Sequence, residues 1–217
     1  KVVFSDSTRG WLVINSDTPS SLNQKFISAT GGSVTTVCTN FKVHTFTSSG
    51  CFVVSCGGNA GGSNSVDYLV IAGGASGGKG GGGGGAGGFR ESNAATQSYQ
   101  AFPGFKACGA IPVSACTTYP ITIGAGGATN TSARGEPGST STFSSISSAG
   151  GGGGGGFPSS PSANEPGIAG GSGGGAGGTV SSGTAPGGAG NTPPVTPSQG
   201  NRGSNVTGPV GAAGGGG

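Results

Sequence analysis

The sequence predicts a mostly β and irregular chain with essentially no α-helix. A small antiparallel β region over residues 1–66 precedes a glycine-rich slab of packed, extended helices of the polyproline-II type over residues 67–217. Three observations predict it. Glycine supplies 54 of the 217 residues, where about 7% is usual. No apolar pattern of helical period appears, and Gly and Pro are the poorest helix formers. Short apolar runs lead repeatedly into glycines, as in "DYLVIAGG" from Asp67 and "YPITIGAGGA" from Tyr119.

The first region holds 8 Gly and 6 charged residues, the second 46 Gly and 9 charged residues. "RGWLVINS" reads as a strand with Trp11 as its largest core candidate. Further on, Val43, Thr45 and Thr47 alternate with His44 and Phe46, and "TSSGC" is a hairpin turn into "CFVVS". Val, Thr and Phe suit a pleated, half-buried surface. So small a region buries little apolar area, so it is expected to lean on the second region or on a partner chain.

The second region repeats one plan three times: an apolar run, then glycines, with two tracts ending at Phe89 and Phe157. Loop insertions are expected at 90–118, 129–142, 157–168 and 191–207. Glycine loses more backbone entropy on folding than any other residue, so a flexible linker is the default for such tracts. Order requires a compensating gain. Extended helices with three residues per turn make no internal hydrogen bonds. Packed side by side, they can bond to neighbours in several directions, and buried donors and acceptors need such partners. Only glycine allows that proximity. The apolar punctuation and the scarcity of Glu, Lys and Gln favour this ordered array over a linker. If Gly83 lies inside it, a valine there is expected to destabilise the slab strongly.

Composition excludes several functions. The net charge is +3 and spread thinly, without a basic stripe interleaved with aromatics, so nucleic-acid binding is not expected. No apolar run reaches the roughly 20 residues of a membrane helix, and no membrane insertion is expected. "GGASGGKG", Gly73 to Gly80, matches a phosphate loop through its lysine. Gly80 then stands where a magnesium-binding hydroxyl belongs, and the glycines after it cannot form the required helix. Collagen fails for want of glycine at strictly every third position. No cofactor or metal is expected: none of the five cysteines has CxxC spacing, and His44 alone could join them. With one histidine and scattered carboxylates, no converging catalytic set forms, and the chain is not expected to be an enzyme. Cys108 and Cys116 bracket "CGAIPVSAC" and either staple that loop or are small buried thiols. The absence of Met leads us to expect a processed protein or a fragment of a larger chain, and the ending "GAAGGGG" a polypeptide that continues.

Binding fits better. Tyr99, Phe102 and Phe105 cluster in the longest insertion, either exposed toward a sugar or protein receptor or packed as a local core. The tips at 129–136 and 191–207 are small and polar and are expected to tolerate change. Asn130 and Asn205 stand in N-x-S/T sequons.

"DYLVIAGG…GGGGGGAGGF", "YPITIGAGGA", "STFSSISSAGGGGGGGF" and the preceding "GGSVTTVCTNFKVHTFTSSGCFVV" resemble the glycine-rich structural and tail-fibre proteins of tailed bacteriophages, especially those of marine bacteria and cyanobacteria. The resemblance covers roughly residues 29–156. It implies a polyglycine-II slab whose loops contact a host receptor, glycan or protein. It also implies a place in the virion beside other virion proteins, as a homo-oligomer, trimer or filament. The cysteines depart from that pattern and keep an extracellular filament subunit open as an alternative. An ice-binding protein would need a flat Thr or Ala face, which "GGATNTS" and "GGTVSSGTAPGG" do not supply.

Overall fold

The computed structural model describes residues 2–6, 10–13, 25–38, 41–59, 62–92, 106–107, 109–129, 134–156, 165–178, 183–208 and 211–217. Among them there is no α-helix. The strands are β1 (Val2–Asp6), β2 (Gly10–Val13), β3 (Ser28–Thr30), β4 (Ser33–Val37), β5 (Phe41–Thr45), β6 (Gly50–Cys56), β7 (Ser65–Val66) and β8 (Leu69–Ile71). They continue with β9 (Phe89–Ser92), β10 (Lys106–Ala107), β11 (Ile111–Pro112), β12 (Thr117–Thr122), β13 (Ser141–Phe143), β14 (Ile146–Ser148), β15 (Thr184–Ala185) and β16 (Val206–Thr207).

The largest sheet has the order β14-β13-β12-β6-β3, antiparallel throughout. It joins strands from both sides of residue 66. Alternation decides which residues face inward: in β6, Phe52 and Val54 are buried while Cys51 and Ser55 are exposed. Pro120 sits where β12 pairs with β6 but not yet with β13, so its missing donor costs no bond on the β13 side. Phe52, Val54, Tyr68, Val70, Ile111, Val113 and Phe143 form the apolar core. The Phe143 ring meets Phe52 edge-on at 6.0 Å and Tyr68 at 6.4 Å.

The expected hairpin across "TSSGC" does not form. β5 pairs with β4 instead, because both edges of β6 are already taken, by β3 and β12. Gly31 and Gly32, at φ of +113° and +64°, turn the chain out of β3 into the β4–β5 hairpin. A Cβ at either would run into the backbone of Cys51 or Thr45. His44 is half-buried, its Nδ1 2.8 Å from Gly31 O and its ring edge-on to Phe52 at 5.1 Å. Phe46 also packs against the core, while Val43 is exposed. Of the strand read around Trp11, the backbone of β2 pairs with β1.

Strands run directly into glycine tracts in three places: β8 into 72–78, β12 into 124–127, and β14 into 149–155. The fourth junction is reversed, with tract 82–88 entering β9 at Phe89. The tracts are joined by backbone bonds with a three-residue rhythm. The N–H groups of Gly82, Gly85 and Gly88 donate to Gly155, Gly152 and Ala149, at 2.6 to 2.8 Å. Those of Gly83 and Ala86 donate to Ala213 and Gly216. Ala72, Ala75 and Gly78 donate to Gly88, Gly85 and Gly82, and Gly73 and Ser76 to Ser139 and Glu136. Residues three apart therefore address the same neighbour, as a threefold extended helix demands. This is polyglycine-II packing.

Tract 171–177 lies at its centre. It exchanges backbone bonds with six neighbours: 82–88, 149–155, 165–170, 186–189, 200–204 and 213–217. Residues 171–178 and 151–156 are all buried. A Cβ at Gly174 would lie far inside 3.0 Å of the Gly153 backbone, so side chains are excluded there. Gly83 differs: it is exposed, and a Cβ would come no closer than 3.2 Å, to Gly215 N. Gly83 is thus a surface glycine, and its neighbour three residues on is Ala86, also exposed. The described glycines with positive φ are Gly31, Gly32, Gly80, Gly109 and Gly208, all outside the tracts. The tracts therefore keep the hand that alanine also accepts, and Ala86 and Ala176 fit among them.

Candidate binding surface

The phosphate-loop lookalike is spent on architecture. Lys79 is exposed on the turn joining two antiparallel tracts, with Gly80 at φ +61°. Its neighbouring amides are committed: Gly78 donates to Gly82 O, Gly81 to Gly78 O and Gly82 to Gly155 O. Those donors cannot also cradle a phosphate.

Tyr99, Phe102, Phe105 and Cys108 lie outside the described residues. Cys116 is exposed at φ 55°, its Sγ 3.9 Å from Ser55 O. Cys51 and Cys56 on β6 are also exposed.

The stretch 191–207, expected to be a tolerant tip, is fastened to the lattice. Gln199 is only 1% exposed. Its Oε1 accepts from Ala149 N at 2.8 Å, its Nε2 donates to Pro193 O at 2.9 Å, and its carbonyl accepts from Phe89 N. Asn191, at φ 51°, brackets Val195: Nδ2 donates to Val195 O and Oδ1 accepts from Val195 N. Asn191 N and Thr192 N bond to Gly171 O and Gly170 O. The lattice also takes in residues within the expected insertions, among them Glu136, Ser139 and Asn201, through their carbonyls. A carbonyl acceptor needs no glycine, only a side chain that points away.

This anchoring sets up a polar surface centred on Arg202, which is exposed. Its Nη2 donates to Asn205 Oδ1 at 2.9 Å, and the same oxygen accepts from Gly187 N. Asn201 Nδ2 donates to Gly217 O at 2.8 Å. Two shallow, open depressions share Arg202 in their lining, one with Gly187, Ala189, Gly190, Gly200 and Asn201, the other with Gly203, Ser204 and Asn205. Elsewhere, Arg134 Nη2 donates to Pro166 O, and its Nε lies 3.9 Å from Glu165 Oε2. Guanidinium, amide groups and glycine backbone offer many hydrogen bonds in a wide, unenclosed site, the chemistry that suits a polar polymer or a receptor surface. Sequence reasoning missed Arg202. Its signal was a lone cation between two asparagines in "GNRGSN".

A family model described as a glycine-rich domain matches residues 45–217. No curated protein and no solved structure matches the chain.

Proposed function

The chain belongs to the glycine-rich domain family, and from that premise we propose that it is a structural component of a virion fibre or fibre tip that contacts the host surface. The observation that carries this reading is the ring of six tracts around 171–177. It is a scaffold stiffened by backbone bonds, with little side-chain chemistry of its own. Such a body suits the display of polar surfaces at a distance, and the Arg202 surface is one of them. Sites held on a rigid scaffold are characteristic of binding proteins. Its partners would be neighbouring virion proteins, further copies of itself and a glycan or protein receptor. Immunogold electron microscopy with an antibody to this chain tests the proposal. Label on tail appendages of intact particles supports it, and particles without label refute it.

A second reading is a subunit of an extracellular filament. The exposed thiols of Cys51, Cys56 and Cys116 favour it, since oxidising surroundings would join such groups between copies. Label on free filaments that fall apart under reductant would select this reading.

A further inference from the structure

Tracts 72–78 and 82–88 run antiparallel and bond to each other, yet four of their donors are left over. The N–H groups of Gly74, Gly77, Gly84 and Gly87 donate to no described residue. Each pair is three residues apart, so its members stand about 9 Å from one another along the tract. That is the spacing with which Gly82, Gly85 and Gly88 address their own neighbour. Gly74, Gly77, Gly83 and Ala86 are exposed on this rim and Gly84 is half-buried, whereas Gly87 is buried; a Cβ at Gly74 would meet nothing closer than 3.9 Å.

Along the tracts the rim carries no charge; Lys79 stands at one end, on the turn that joins them. Residues 71–78, 81–88, 124–129 and 211–217 contain no Asp, Glu, Lys or Arg, in contrast to the surface bearing Arg202. Two copies can therefore meet along the tracts with little repulsion where their Lys79 turns lie at opposite ends, although each carries a net +3. Ile71 and Leu69, 54% and 57% exposed, extend the rim on the strand side.

A row of unpaired backbone donors is a template for another chain. What fills it must present carbonyls at a three-residue period. It must also come to backbone distance, where the buried tracts show that a Cβ does not fit, as at Gly174. A polyglycine-II tract meets both conditions, and this chain is made of such tracts. We propose that the rim formed by 72–78 and 82–88 is an interface at which a second copy of the chain continues the lattice, its tract carbonyls accepting from Gly74, Gly77 and Gly84. The inference rests on the lattice alone and is independent of where the protein works.

The test uses the full chain under reducing conditions, so that thiols play no part. Sedimentation velocity from micromolar to millimolar concentration should show reversible self-association, and amides 74, 77 and 84 should exchange more slowly in the associated species. Gly74→Glu combined with Ala86→Glu places like charges across the interface and should weaken association by at least about tenfold, with the melting temperature unchanged. Ala86→Glu alone, built on an existing Cβ, is the fallback if the double variant folds poorly. A chain that stays monomeric throughout overturns the proposal. So does association indifferent to Ala86→Glu, or association in which those three amides still exchange fast, as they would if a different surface or a side-chain-rich contact were responsible.

Discussion

Two glycine-to-alanine substitutions, at Gly174 and Gly83, should behave very differently. At Gly174 the new Cβ would run into the Gly153 backbone, and neither tract can yield without the other moving. Tracts 149–155 and 171–177 share three bonds, from Gly152 to Ser172, Gly155 to Gly175 and Gly171 to Gly150. At about 1 kcal/mol net each, their loss costs about 3 kcal/mol, within the usual range for overpacking. Alanine recovers roughly 0.4–1 kcal/mol by restricting the unfolded chain. The net destabilisation is about 2–3 kcal/mol, or a fall of roughly 4–12 °C in Tm for a chain of this size. At Gly83 the Cβ's closest contact is Gly215 N, at 3.2 Å, and the entropic gain offsets the contact. Tm should move by no more than about 3 °C. Calorimetry on both variants checks this. Equal melting temperatures would refute the reasoning, because a chain without a lattice cannot tell one glycine from the other.

Three further outcomes follow from the structure. Phe52→Ala removes a ring packed on His44, Tyr119 and Phe143 and should cost about 3–5 kcal/mol, read by denaturant unfolding. Gln199→Leu deletes the acceptor of Ala149 N and the donor to Pro193 O. It should cost about 2–3 kcal/mol and speed hydrogen exchange at Ala149 while leaving Gly154 protected, as residue-resolved NMR would show. Arg202→Ala should leave Tm within about 1 °C, since its one side-chain bond is exposed and exposed polar changes are small. It should also lower attachment of the purified chain to its target cells; full attachment would remove Arg202 from the contact surface.

Much of this architecture is legible in the residues, and the limits of legibility have physical causes. The apolar runs at Tyr68–Ala72, Tyr119–Ile123 and Phe143–Ser148 announce where strands give way to tracts, because strand and tract need different side chains. Which glycines face outward is not announced. Gly83 and Gly174 look alike in sequence, and only the choice of neighbouring tract separates them. The pairing of β5 with β4 was equally hidden, since it depends on strands distant in sequence that cap both edges of β6. Residues such as Glu136 and Asn201 read as loop because they are not glycine, yet their carbonyls serve the lattice as well as a glycine's would. Gln199 read as a polar tip for the same reason, although its amide sits where two tracts and a loop would otherwise leave donors and acceptors unpaired.

Residue-resolved hydrogen–deuterium exchange across 82–88 in the dilute, monomeric chain tests the central claim most directly. The account predicts slow exchange at Gly82, Gly83, Gly85, Ala86 and Gly88, whose amides bond to neighbouring tracts, and fast exchange at Gly84, whose amide does not. Uniformly fast exchange through the tract would contradict it.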